Sequence, residues 1–148
     1  MKRFPGGVAL LLLLLCGVGC GSKYDVVPVS GVITLDGQPL ADATVSTQPA
    51  ATPDNPNPGP GSYAHTDAEG RFALGLQTEK VQAGAIPGTH RVYISRKGEQ
   101  RESSNDEVAR SDLSDLPRQY WDGSLTFEIP PGGTDAMNFD LVGRKGRR

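Results

Sequence analysis

From residue 27 onward, apolar side chains fall at every second position in short runs, and no stretch of helical period replaces them. Val27, Val29, Gly31, Ile33 and Leu35 share one face of an extended segment that ends at Asp36-Gly37, a strong turn signal. Ala43, Val45 and Thr47 predict a second strand and Ser62–Thr66 a third. The turn Asp67-Ala68-Glu69-Gly70 leads into a fourth, where Phe72, Leu74 and Leu76 point one way and Arg71 and Ala73 the other. Thr89–Lys97 predicts a fifth strand with Val92 and Ile94 inward. Leu125, Phe127 and Ile129 define a sixth, and Met137, Phe139 and Leu141 a seventh. A period of two gives each strand one buried face, as two packed antiparallel sheets require. Seven short strands separated by turn residues predict an all-β domain of β-sandwich type.

Two internal stretches break the alternation. Pro49–Gly61 is too rich in Pro, Asn and Gly to enter a sheet and predicts an exposed, extended loop. Gly98–Pro117 is polar, charged and too long for a hairpin connection. Ser104 with Glu107 would cap one helical turn there, but Val108 and Leu113 build no apolar stripe. Disorder is the expectation for this segment.

The amino terminus has a different pattern. Lys2 and Arg3 precede the apolar run Val8–Leu15, which is too short for a spanning helix of roughly 20 residues. A basic leader, a short apolar run and small residues before a cleavage point are the order of a secretory signal. Here Gly17-Val18-Gly19 precede Cys20, which resembles the lipobox of bacterial lipoproteins. In that family the cysteine becomes the first residue and carries a diacylglycerol anchor. Cutting before Cys16 would place the large Leu15 where small residues are preferred, so Cys20 is the expected lipidation site. The expected organisation is a signal peptide over residues 1–19, a lipid-anchored tether over 20–25, a sandwich over 26–143 and a basic tail over 144–148. The mature chain then holds no second cysteine for a disulfide, and its stability must come from packing.

Charge excludes one class of partner. The chain carries 15 Lys and Arg against 17 Asp and Glu. Six of the basic residues lie in the leader (Lys2, Arg3) or the tail (Arg144, Lys145, Arg147, Arg148), so the folded part is distinctly acidic. Nucleic-acid binding, which wants a basic face, is not expected.

Gly31-Val32-Ile33-Thr34-Leu35-Asp36-Gly37-Gln38-Pro39-Leu40-Ala41-Asp42-Ala43-Thr44-Val45 resembles the opening of carboxypeptidase regulatory-like domains. Thr66-Asp67-Ala68-Glu69-Gly70-Arg71-Phe72 looks like that family's next turn and strand, and Ala85-Ile86-Pro87-Gly88-Thr89-His90-Arg91-Val92 like its entry to a central strand. Leu116–Tyr120 leading to Ser124–Ile129 resembles the second half of small exported lipoproteins of this type. The resemblance implies a seven-stranded antiparallel Greek-key sandwich of transthyretin-like (prealbumin-like) kind, without catalytic activity. It implies a structural or interaction module in the cell envelope, on the periplasmic or outer-membrane face, with no cofactor. Such motif residues have structural work of their own: Asp36-Gly37 and Pro87-Gly88 set turns, and Leu40 plugs one end of the core.

Candidate chemistry is sparse. His65 and His90 lack the neighbours of a catalytic triad or zinc motif, and both are expected on outward strand positions. The enzyme branch of the transthyretin fold, hydroxyisourate hydrolase, ends in tyrosine-arginine-glycine-serine, whereas this chain ends Gly143–Arg148. Asn138 lies where an isopeptide-forming asparagine would, yet the first strand offers no lysine. Asp106, Glu107, Asp112 and Asp115 lack the order of an EF-hand, so no metal is expected. Exposed, Tyr120 and Trp121 are the candidate contacts for a glycan, envelope polymer or protein partner, with Pro49–Gly61 as a helper; buried, the pair would close one edge of the core, and a partly buried placement is the expectation.

Overall fold

The computed structural model describes residues 23–96 and 116–144. The leader, both cysteines, the acids of the 98–117 segment and most of the basic tail lie outside the described residues. The described chain is all-β, with ten strands in two sheets and a single 3-10 turn, Arg118–Tyr120.

The first sheet is centred on β1 (Ser30–Leu35). It pairs antiparallel with β2 (Gln38–Pro39) and β5 (Arg71–Ala73), and on its other side with β10 (Phe139–Leu141). The second sheet runs β7 (Gln82–Ala83), β6 (Gly75–Leu76), β4 (Ser62–His65), β3 (Ala43–Pro49), β8 (Gly88–Arg96), β9 (Leu125–Ile129). One apolar cluster draws on both: Ile33, Phe72 and Phe139 from the first sheet meet Val45, Val92, Ile94 and Ile129 from the second. This is a sandwich-like packing, and it follows from the alternation, which buries Val29, Ile33, Ala43, Val45, Thr47, Met137, Phe139 and Leu141 as the pattern requires.

Turn chemistry closes the hairpins. Asp36 (φ 51°) and Gly37 (φ 81°) are both left-handed, the requirement of a two-residue primed turn, and Leu35 pairs with Gln38 across it. Asp67 Oδ1 accepts the amides of Glu69 and Arg71, while Gly70 takes φ 72°. Thr66 is buried but satisfied: its hydroxyl donates to Leu40 O at 2.7 Å and accepts from Ala43 N at 2.9 Å.

Three features depart from the sequence expectation. The predicted fourth strand, Phe72 to Leu76, divides between sheets at Leu74, whose amide donates to Val29 O while its carbonyl accepts from Gly84 N. Its apolar face stays buried throughout, so alternation alone cannot reveal the crossing. Second, β10 is parallel to β1, not antiparallel. Third, short β2 and β7 add to the principal strands.

The two ends of the domain are chemically distinct. At one end Val27 exchanges backbone bonds with Ala85, and Pro28 O accepts from Thr134 N. A Cβ on Gly59 would strike the Tyr24 ring and Ile86, so the Pro49–Gly61 loop also packs at this end. At the other end Gly143 N donates to Asp36 Oδ1, and Val142 N donates to the Tyr120 hydroxyl. Strand β8 runs the distance between, about 27 Å for its length.

Gly31 fixes the approach of β1 to the chain entering β10, because a Cβ there would collide with the Met137 carbonyl. Gly31→Ala is therefore expected to destabilise by about 3 kcal/mol or more. Gly132→Ala, with open space around its Cβ, serves as the control and should stay within about 0.5 kcal/mol. Urea unfolding of both variants measures the difference.

Candidate functional site

Tyr120 and Trp121 sit on the 3-10 turn and the residue after it, at the end of the domain away from Val27. The turn is held by Tyr120 N to Pro117 O and by the Trp121 and Asp122 amides to Arg118 O. Tyr120 is buried, with 8% of its surface exposed, and its ring belongs to the core cluster. Its hydroxyl accepts from Val142 N at 3.1 Å, tying the turn to the chain leaving β10. A face-on stack of this ring against a sugar is not available.

Trp121 is half-buried. The Arg118 guanidinium lies over its ring, 5.6 Å from the centroid, and the indole Nε1 is enclosed without an acceptor. Arg118 Nε also stands 3.9 Å from Asp122 Oδ2. Ser124 donates to Asp122, and this hydrogen bonding more than the arginine lowers the Asp122 carboxyl below its ordinary value. Beside the turn, Gln119, Tyr120, Ser124 and Leu125 line a shallow open hollow of about 230 Å³. Arg118 is the contact that sequence reading missed. Its position three residues before Trp121 on a tight turn was the available signal.

The Pro49–Gly61 loop does not join this site. Pro49 pairs with His90 and Gly59 packs near Tyr24, so the loop lies at the end where the chain enters the domain. The expected cooperation between loop and aromatic pair is corrected by the length of β8, which separates them. Asn138 is committed to the backbone, its Oδ1 accepting from Val32 N at 2.9 Å.

The histidines part company. His65 is exposed, and Thr44 Oγ1 lies 3.1 Å from its Nδ1. His90 points inward, against the expectation of an outward position, and is fully buried. It follows the register of Val92 and Ile94, two and four residues on, and that period was the signal to read. A carbonyl only accepts, so His90 Nε2 must carry the proton in its 2.7 Å bond to Ile86 O. Nδ1 is left without a partner. Burial is the main cause holding the His90 pKa below its ordinary value, outweighing the Ile86 bond and Glu128.

Among the described residues, no three His, Cys, Asp or Glu converge to hold a metal ion, and no helix is long and apolar enough to cross a membrane. No protein-family model matches the chain, and neither a curated protein nor a solved structure matches it.

His90 generates a pH dependence of known sign. Below about pH 6.5 the unfolded chain takes up a proton on this residue that the folded chain resists. Its contribution to stability is therefore full above that pH, declines as pH falls, and levels off below the lowered folded pKa. His90→Leu removes the titration at the cost of an unpaired Ile86 carbonyl, about 1–3 kcal/mol. The expected result is a variant less stable at pH 7 whose melting temperature drops less than the parent's between pH 7 and pH 5. Parallel thermal melts across that range check it.

Proposed function

We propose that this chain is a non-enzymatic, lipid-anchored cell-envelope protein of the carboxypeptidase regulatory-like kind. Residues 1–19 act as its signal peptide and Cys20 as its acylated first residue. The folded part is a Greek-key sandwich of transthyretin-like type, built on seven principal strands, serving as a structural or interaction module.

The observation that carries this reading is the position of Cys20. It follows Gly17-Val18-Gly19 and an apolar run, and it precedes by only seven residues the first ladder contact, Val27 with Ala85. Six intervening residues reach at most about 20 Å, so the sandwich would ride close to the bilayer. Two acyl chains make a stable anchor where one is marginal. Gly21-Ser22 after the cysteine resembles the outer-membrane sorting pattern of Gram-negative lipoproteins. The Asp36-Gly37 and Asp67–Gly70 turns, which lie within the motifs that carry the resemblance, form as their residue types require.

The non-enzymatic part of the reading rests on the placement of the polar groups. His90 is spent inside the core and Asn138 on a backbone amide, while Tyr120 closes the far end. A glycan-binding module, the alternative, would rest on Trp121 and Arg118 without Tyr120 or the Pro49–Gly61 loop.

Expression of the full chain in a bacterial host with a labelled fatty acid tests the anchor. Cys20→Ser should lose the label and leave the membrane fraction, whereas Cys16→Ser should keep both. The reverse outcome would move the anchor to Cys16, and label on neither would remove it.

A further inference from the structure

The hydrogen-bond alternation of β8 decides what β9 offers to its surroundings. Ala50 N donates to Thr89 O at 2.8 Å, so odd-numbered residues of β8 turn their backbone groups toward β3. Gly88, His90 and Val92 therefore face β9, where their partners are Ile129, Phe127 and Leu125. By the same alternation, the amides and carbonyls of Thr126 and Glu128 point away from β8. Among the described residues β9 ends the six-stranded sheet, so these four groups line an open edge. The opposite edge of that sheet, β7, is only two residues long, a common way of blunting an edge. Strand β9 has five residues, and Pro130-Pro131 stop it.

We propose that this edge pairs, antiparallel, with the same edge of a second copy of the chain, about a two-fold axis through Phe127. Charge and hydrogen bonding select that register. Glu128 opposite Glu128 of the second copy would set like charges side by side. Thr126 opposite Thr126 would draw on the Ser124 amide, which is already committed to Asp122 Oδ1 at 2.9 Å. Thr126 opposite Glu128 uses all four free groups of each edge and forms four backbone hydrogen bonds. It also places a hydroxyl beside a carboxylate, the pairing that Thr89 and Glu128 already make within one chain.

The inner face agrees. Leu125 and Phe127 are only half-buried, and Phe127 meets Phe139 edge-on with centroids 6.0 Å apart at the open side of the two sheets. In the selected register Phe127 lies beside its own copy and Leu125 beside Ile129 of the second copy, covering both. The axis passes two residues from Ile129, near the end where Pro28 is bonded. The two Ile129 residues are then offset along the strands by about 14 Å, and the two chain entries face opposite ways. The pairing itself does not require the anchor.

Cysteine cross-linking of the full chain in membranes reads both the pairing and its register. Chains carrying Thr126→Cys and Glu128→Cys, expressed together, bring the two sulfurs into a hydrogen-bonded pair about 5.5 Å apart at Cα. A disulfide-linked dimer several-fold above the level of a Gln48→Cys control is expected, because Gln48 is exposed on the central strand β3 and both native cysteines are present in every sample. Either variant alone should stay at the control level, since like residues are diagonal in this register. Sedimentation supplies a second reading on the detergent-extracted protein. The parent should sediment as a dimer and Thr126→Pro as a monomer with an unchanged β circular dichroism spectrum, because that amide faces away from β8. A parent that is monomeric at tens of micromolar, mixed variants that never exceed the control, or a single variant that links as well as the mixture would each overturn the proposal.

Discussion

One layer of apolar side chains joins the two sheets, and no covalent link backs it. Both cysteines precede Val27, so the domain from there onward contains none. Close packing holds it, with Ile33, Ala43, Val45, Ala85, Val92, Ile94, Ile129 and Met137 all fully removed from solvent. Dense packing of short side chains demands close backbone approach, and Gly31 against Met137 and Gly84 against Val27 provide it. The other features of the structure are consequences of holding that layer shut.

The crossing at Leu74 is one of them. A sandwich needs the chain to change sheets, and each change threatens to strand backbone polar groups inside. Leu74 solves this by giving its amide to Val29 in one sheet and its carbonyl to Gly84 beside the other. Gly84 in turn needs φ 115° to turn back onto Val27 and let Ala85 exchange two bonds with it. Ser62 completes the joint by donating from its buried hydroxyl to Gly84 O at 3.1 Å. The corner is thus satisfied largely through backbone groups, which leave no mark on the pattern of side chains.

This explains what could be read from the chain and what could not. Alternation reports which face of a strand is buried, and it placed Ile33, Val45, Phe72, Val92, Ile129 and Phe139 in the core without error. It is silent on which sheet a strand joins, so Phe72 and Leu76 read as one strand though they lie in two. It is silent on direction as well, and the parallel pairing of β10 with β1 left no mark on the pattern. The candidate site suffered from a different cause. His90 reads by residue type as a polar side chain facing outward, whereas Tyr120 reads as part of a pair that, partly buried, closes one edge of the core. Register overrode type in the first case, and a single hydroxyl-to-amide bond let the second go inside. Trp121 is half-buried beside that core, and its guanidinium neighbour depends on the tightness of a turn that alternation does not report.

The separation of the two ends bears most directly on function. The entry end gathers Tyr24, Gly59, Ala85 and Thr134, and it is tied down by backbone pairing. The far end is closed by side chains, with Tyr120 holding Val142 and Asp36 holding Gly143. Under the proposed anchoring at Cys20 the entry end would be the one held near a bilayer, and the far turn would stand about the length of β8 away from it. The parallel run of β10 beside β1 carries the chain out at that same far end, so Arg144 lies on the side away from Val27, and the two ends of the described domain present different chemistry to whatever each meets.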